Sequence, residues 1–364
     1  MPVPAEVVLS IEALFPRSVA EGHARLILSD TSDATARWLS RGLRDVTSPN
    51  GEEHVHVLVS DSISRHRTER RTGARRDRGP LAGPSGGTRD GLQRRSGTHW
   101  EEMHVAITGA GGEVGRAVTE AFDDEQTTLF THSEHEDVDS RILDATDGAA
   151  FVDALEDAAR NGNGGVDVLV HLAWDPADRG DWTAGDADNV AMTANAFEAA
   201  VANGVDRVVV ASSVHVVGMY NRGDPASFES MVESPTETVD PASPQRPDSF
   251  YGVAKTAVEG LTAYYADRHG VEAVAVRIGW LMTDEELRET RSDGDDRHRF
   301  ARATFLSHRD CRALFRAAAE ASIEDPPVVA HGISRNADRF LTLTGTMRRL
   351  GYRPRDDASE VLES

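Results

Sequence analysis

The sequence predicts an α/β protein built on a doubly wound parallel sheet, and three observations carry that prediction. A buried apolar strand, His104–Thr108, runs into the turn Gly109-Ala110-Gly111-Gly112-Glu113-Val114-Gly115 and then into a helical run, Arg116–Phe122. Strand-like and helix-like stretches alternate from there onward, the pattern of parallel strands joined by crossover helices. Further on, Tyr251-Gly252-Val253-Ala254-Lys255 sets a phenol and an ammonium one helical turn apart.

The glycines at 109, 112 and 115 stand three apart. Glycine lets the backbone turn tightly and approach a pyrophosphate, which then rests on the N-terminus of the following helix. Gly109, Gly112, Glu113, Val114 and Gly115 are therefore candidate residues of a Rossmann-type dinucleotide site. The second strand is Thr127–Thr131. An acid that holds the adenosine ribose is expected about 20 residues beyond the glycines. The chain has Thr131-His132-Ser133 there, with Glu134 one step later. Without that acid a 2′-phosphate is tolerated, so NAD and NADP are both open and NADP is slightly favoured. In the competing reading, Glu134 or Asp137 replaces the acid from the loop.

The third strand, Arg141–Leu143, ends at Asp144, which is either an acceptor for the adenine amino group or a turn acid. A helix over Gly148–Arg160 and a loose loop lead to the fourth strand, Val166–Leu172. Ala173 follows, small enough for the nicotinamide end of a cofactor to pass close to the backbone. A long helix, Ala184–Asn203, carries Asn189. The fifth strand, Val205–Ala211, delivers Ser212-Ser213 to its C-terminal end, where doubly wound sheets hold ligands. Segment 221–249, with five prolines, reads as a long acidic loop over the mouth of the site. The helix over 250–269 is expected to pack Tyr264 and Tyr265. A helix at Leu306–Ala321, a seventh strand at Val328–Ala330 and a closing helix at Thr342–Leu350 complete the series.

Composition narrows the function classes. The 364 residues carry 61 acidic and 39 basic side chains, for a formal charge of −22. Such a field repels nucleic acid and anionic membranes, and it resembles the acidic surfaces of halophilic proteins. A single cysteine, Cys311, excludes an internal disulfide. No apolar run approaches the roughly 20 residues that span a bilayer, and no signal-peptide pattern opens the chain. The expectation is a soluble, cytoplasmic protein. The scattered histidines lack metal-site spacing, so no metal is expected.

Charge is unevenly spread. Residues 1–62 hold five arginines and nine acids, residues 63–102 ten arginines and five acids, and residues 103–364 24 bases and 47 acids. The first segment has too few strand-like and helix-like pieces for a core of its own. The second reads as a disordered, arginine-rich linker. It is either a nucleic-acid- or anion-binding arm or sequence upstream of a native start at Met103. Its contrast with the rest of the chain favours the latter. The principal domain is 103–364.

Lys255 is the only lysine, against 38 arginines. An ammonium is a compact point charge where a guanidinium is planar and bulky. Beside a phenol it lowers the phenol's pKa from about 10 and fits it to take a proton from a hydroxyl. Ser213 would then hydrogen-bond the reacting oxygen, Tyr251 would act as base, and Lys255 would tune the phenol and hold the nicotinamide ribose.

With the glycine turn roughly 140 residues upstream of the Tyr–Lys pair, the combination resembles the extended short-chain dehydrogenase/reductases, the NAD-dependent epimerase/dehydratase superfamily. The resemblance covers essentially all of 103–364. Ser212-Ser213-Val214-His215-Val216-Val217-Gly218-Met219-Tyr220 is similar to a segment of uronate dehydrogenases and archaeal-type glucose-6-phosphate dehydrogenases. So are Arg277-Ile278-Gly279, Leu306-Ser307-His308-Arg309-Asp310-Cys311, Gly332-Ile333-Ser334 and Leu350-Gly351-Tyr352-Arg353-Pro354. Asp175-Pro176 and Trp182 resemble the glucose-6-phosphate branch.

The resemblance implies oxidation of an aldose, uronate or sugar phosphate at its anomeric carbon, giving a lactone. It assigns Asp144 to adenine, Asn189 to the surroundings of the nicotinamide ribose, and Ser213 and His215 to the sugar. Arg299 and Arg302 are candidates for an anionic sugar group, because a guanidinium fork fits carboxylate or phosphate. It also implies a homodimer paired through the long helix at 250–269. The chain departs from the family at Val214, where asparagine is usual, at Trp280, where a small or amide residue is usual, and at the missing acid. Two alternatives remain: a sugar epimerase or dehydratase that regenerates its cofactor, and a non-catalytic dinucleotide-binding regulator. The short C-terminal region speaks against the first and the complete Ser-Tyr-Lys set against the second.

Overall fold

The computed structural model describes residues 103–162, 165–176, 186–224 and 226–364. The expected extension at 1–62, the linker at 63–102 and Trp182 lie outside the described residues. The chain divides into units Met1–Arg89 and Asp90–Ser364, and everything described belongs to the second.

The sheet comprises β1 (His104–Thr108), β2 (Gln126–Thr131), β3 (Arg141–Ile142), β4 (Val168–His171), β5 (Arg207–Ser213), β6 (Glu272–Ile278) and β9 (Val328–Gly332). Their spatial order is β3-β2-β1-β4-β5-β6-β9, and every pairing is parallel. The order reverses between β1 and β4, which opens the crevice where such sheets take ligands. β7 (Trp280–Leu281) and β8 (Phe305–Leu306) form a separate parallel pair.

Side chains alternate between two apolar layers, as strand geometry demands. Val105, Ile107, Val168, Val170, Val209, Val274 and Val276 face one layer, with α1 (Glu113–Glu120) and α7 (His308–Glu320). Ala106, Leu169, Val208, Val210, Ala273 and Ala275 face the other, with α2 (Gly148–Asn161), α3 (Asp186–Asn203) and α4 (Phe250–His269). Strands buried on both faces explain the near-continuous valine runs in the sequence. Helices α5 (Asp284–Glu289) and α6 (Asp295–Thr304) lie between β7 and β8, and α8 (Thr344–Leu350) and α9 (Ala358–Glu363) close the chain.

Four expectations need adjusting. Leu306 lies in β8, and α7 begins at His308 because the Ser307 side chain caps the Asp310 N–H. The helix ending at Leu350 starts at Thr344 and is followed by α9. Tyr265 is buried and stacked on Phe197, but Tyr264 is 53% exposed and packs in no core. Among its described residues the 221–249 segment carries no helix and only one isolated bridge, Val239 to Leu341, yet Met231 and Val239 are buried in the core.

The Leu306–Cys311 motif serves the fold. Buried Asp310 accepts the N–H groups of Arg355 and Asp356, which ties the C-terminal segment to α7. Among the described residues no helix is long and apolar enough to cross a membrane.

Two strand histidines set an acid limit on stability. Burial, and then Lys255, pushes His171 down to about 3. Burial, and then Arg277, pushes His331 down to about 4. An unfolded imidazole takes its proton near pH 6.5. The unfolded chain therefore binds more protons below that pH, and stability, complete above it, falls as pH drops towards 4. Denaturant unfolding should lose about 1.4 kcal/mol per pH unit for each histidine in that window. A flat profile between pH 6.5 and 4.5 would contradict the burial of both rings.

Candidate active site

The first turn of α1 packs onto the glycine turn. Gly109 has φ +70°, and a Cβ there would lie 2.8 Å from the Ala173 nitrogen, while a Cβ on Gly115 would overlap the Gly109 carbonyl. Glycine at both positions lets the turn close directly on the backbone that follows β4 and on the first turn of α1.

Two adjoining cavities share this turn. One, of about 490 Å³, is lined by Thr131, His132, His135, Leu143, Asp144, Thr146, Ala173, Trp174 and Met192, among others. The other, of about 430 Å³, is lined by Glu113, Val114, Ser213, His215, Tyr251, Lys255, Trp280 and Phe300, among others. Gly109, Gly112, Leu172, Trp174 and Pro176 line both. An adenosine-sized hollow, a glycine turn and a second hollow holding phenol and ammonium form a continuous cradle that fits a dinucleotide.

Ser213, Tyr251 and Lys255 meet in the second cavity because β5 ends where α4 begins. Ser213 opens a single 3₁₀ turn, Val214–Val217, and its hydroxyl oxygen accepts the His215 N–H at 3.2 Å. That leaves its proton to donate to a substrate oxygen. Ser249 caps α4 by accepting from the Gly252 N–H, which places Tyr251 in the first turn. A Cβ on Gly252 would lie 2.6 Å from the His215 carbonyl, so the Tyr-Gly-x-x-Lys glycine permits close packing on the 3₁₀ turn. Lys255 is buried and donates to the Ala211 carbonyl at 2.8 Å. Its ammonium stands 3.5 Å from the Trp174 ring centroid and 5.6 Å from that of Tyr251.

Beneath this trio lies a buried ion pair. Both oxygens of Glu259, one turn beyond Lys255, accept from Arg277, at 2.7 and 2.8 Å. The same carboxylate accepts the Ser212 hydroxyl and the Gln245 amide, each at 2.7 Å. β5, β6, α4 and the 221–249 segment are thereby joined directly behind Ser213.

Other expected residues fall differently. Asp144 is exposed on the first cavity's wall and accepts the Thr146 N–H and hydroxyl, a turn acid that still borders the adenosine hollow. Asn189 is fully buried, and both ends of its amide bond the Asp175 backbone, so it shapes the loop after β4 and does not line either cavity. Arg299 donates to the Met231 carbonyl and Arg302 pairs with Asp338, and neither lines the site. Asp137 is gripped at both oxygens by Arg116. Glu113 lines the second cavity, its carboxyl raised by burial and then by Glu286, although His308 works the other way.

Sequence reasoning missed Trp174, Glu229, Phe300, Asp248 and Arg222. Glu229 lines the second cavity from the 221–249 segment, where no periodicity marks any position as facing inward. Arg297 lies 4.7 Å over the Trp280 ring and is held by the carboxylates of Glu229 and Asp293.

The NAD dependent epimerase/dehydratase family model matches residues 105–325. An L-arabinose 1-dehydrogenase (NAD(P)(+)) of Haloferax volcanii is 44% identical over 260 residues, covering 71% of this chain and 99% of that protein. An NAD-dependent glucose-6-phosphate dehydrogenase of the same organism is 33% identical over 264 residues, covering 71% of this chain and 95% of that protein. Among solved structures, uronate dehydrogenase from Agrobacterium tumefaciens superposes with a TM-score of 0.55 at 26% identity, covering 71% of this chain and 86% of that one. The glycine turn on β1, the parallel sheet and these matches together place the chain in the NAD dependent epimerase/dehydratase family.

Proposed function

We propose that the protein is an NAD(P)-dependent dehydrogenase that oxidises neutral aldoses at C1 to the lactone. A nicotinamide held in the cavity lined by Tyr251 and Lys255 would accept the hydride that leaves C1. Ser213 donates a hydrogen bond to the C1 oxygen, Tyr251 takes the hydroxyl proton, and Lys255 favours the phenolate and holds the ribose hydroxyls.

One observation carries the choice of a neutral sugar. The sugar end of the cavity presents Glu229, His215, Trp174, Trp280 and Phe300, and among the described residues Lys255 is the sole lysine or arginine that lines it. Arg297, behind Trp280, has its charge balanced by two carboxylates. A uronate or sugar phosphate would meet an acid without the guanidinium fork that such groups need, whereas sugar C–H faces pack well on aromatic rings. The 44% identity to a protein named for L-arabinose supports the same reading.

For the cofactor, we infer use of NADP as well as NAD, with NADP preferred. The end of β2 carries His132 in place of an acid, His135 lines the adenosine hollow, and Arg116 stands on α1 with its charge already met by Asp137. A dimer through α4 is supported by exposed Phe250, Val253 and Tyr264 on that helix.

The test is reduction of NAD⁺ and NADP⁺ with L-arabinose and other neutral aldoses against glucuronate, galacturonate and glucose 6-phosphate. The expected result is turnover of a neutral aldose with kcat/KM about 100-fold or more above every anionic sugar, with NADP⁺ the better acceptor. Turnover confined to an anionic sugar would overturn the neutral-sugar reading. Turnover without net reduction of nicotinamide would point to the epimerase alternative.

A further inference from the structure

We propose that Asp248 is a positioning residue that fixes His215 as a hydrogen-bond acceptor for one hydroxyl of the sugar, making that hydroxyl a specificity determinant. The inference rests on the aldose reading above and names the recognition device behind it.

The Asp248 carboxylate is completely buried. One oxygen accepts from His215 Nδ1 at 2.8 Å and from Arg222 Nη1 at 3.2 Å. The other accepts the Ser249 hydroxyl at 2.8 Å. Arg222 is itself only 3% exposed and balances the buried charge. The carboxylate lies so close to Gly218 that a Cβ there would overlap it, which accounts for the glycine that follows the Ser-Ser-x-His segment. Asp248 thus joins the 3₁₀ turn carrying His215 to the residue that caps α4, the helix of Tyr251.

An ionised carboxylate only accepts. His215 Nδ1 must therefore carry a proton, and in the neutral ring Nε2 is left with a lone pair. The ring lines the cavity and stands edge-on to Tyr251, with centroids 5.7 Å apart. A sugar hydroxyl can donate to that lone pair. A carboxylate or phosphate has no proton to give and would face a second acceptor, Glu229, in the same cavity. An imidazole left free to choose its tautomer would lose this selectivity, because either nitrogen could then turn a donor to the cavity.

The experiment measures kcat/KM for the best aldose and for its singly deoxygenated analogues. It compares the wild-type chain with Asp248→Ala, Asp248→Asn and His215→Phe, and records NAD(P) affinity for each. One deoxy analogue should cost the wild type about 100-fold. In Asp248→Ala and His215→Phe that cost should collapse to about fivefold or less, with dinucleotide affinity held. Asp248→Asn should keep most of it, since an amide oxygen still accepts from Nδ1. A uniform loss on all sugars, with the deoxy penalty intact, would make Asp248 merely structural and overturn the proposal. So would a wild type indifferent to every deoxygenation. If the wild type oxidises no aldose at all, the reading of the cavity falls first, before any variant is compared.

Discussion

Replacing Tyr251 with phenylalanine should lower kcat by about 10³-fold, because proton transfer by a positioned side chain is worth between about 10² and 10⁴. NAD(P) affinity should change little. Phenylalanine keeps the edge-on contacts that the Tyr251 ring makes with Trp174 at 5.5 Å and His215 at 5.7 Å, so the cavity wall survives and only the proton acceptor goes. Steady-state rates combined with a dinucleotide titration separate the two effects. Retained turnover would remove Tyr251 from the mechanism, whatever its position beside Lys255.

The second large effect belongs to stability. Arg277→Met should destabilise the fold by about 3–5 kcal/mol, since it strands the Glu259 carboxylate in an apolar interior. Glu259 and Arg277 are 5% and 1% exposed, and Ser212 and Gln245 bond the same carboxylate, so no water can replace the lost guanidinium cheaply. Adding Glu259→Leu should recover a substantial part, because a buried pair is costly to break and far less costly to replace whole. Chemical denaturation of the single and double variants measures both. A loss under about 1 kcal/mol for Arg277→Met would show that the pair is not what joins β6 to α4.

The sheet and the meeting of Ser213, Tyr251 and Lys255 in one cavity were legible in the chain because both obey local rules. Buried parallel strands need long valine runs, a phosphate turn needs glycines three apart, and Tyr251 and Lys255 share a helix face through their spacing alone. The cavity wall opposite the glycine turn was not legible. Glu229, Asp248 and Arg222 lie in or beside an irregular segment with no periodicity to say which way a residue points, and Phe300 reaches the cavity only through the path of α6. Asn189 could not be placed from the chain alone either. The family resemblance sets it near the nicotinamide ribose, yet its amide hydrogen bonds go to the Asp175 backbone. Arg299 and Arg302 were near in sequence to the right place, but side-chain direction on α6 turns them to Met231 and Asp338.

The single lysine has a consequence outside catalysis. A protease that cuts only after lysine has one target bond in the entire 364-residue chain, and that bond lies inside α4 beneath Trp174. In the native protein the scissile peptide is helical and the side chain that the protease must grip is 3% exposed. Cleavage therefore waits until α4 unravels, and the appearance of two fragments becomes a clock for the opening of this one helix. Ligands that close on Lys255 should slow that clock in proportion to how tightly they bind, so bound sugar or dinucleotide can be read on a gel without following turnover at all.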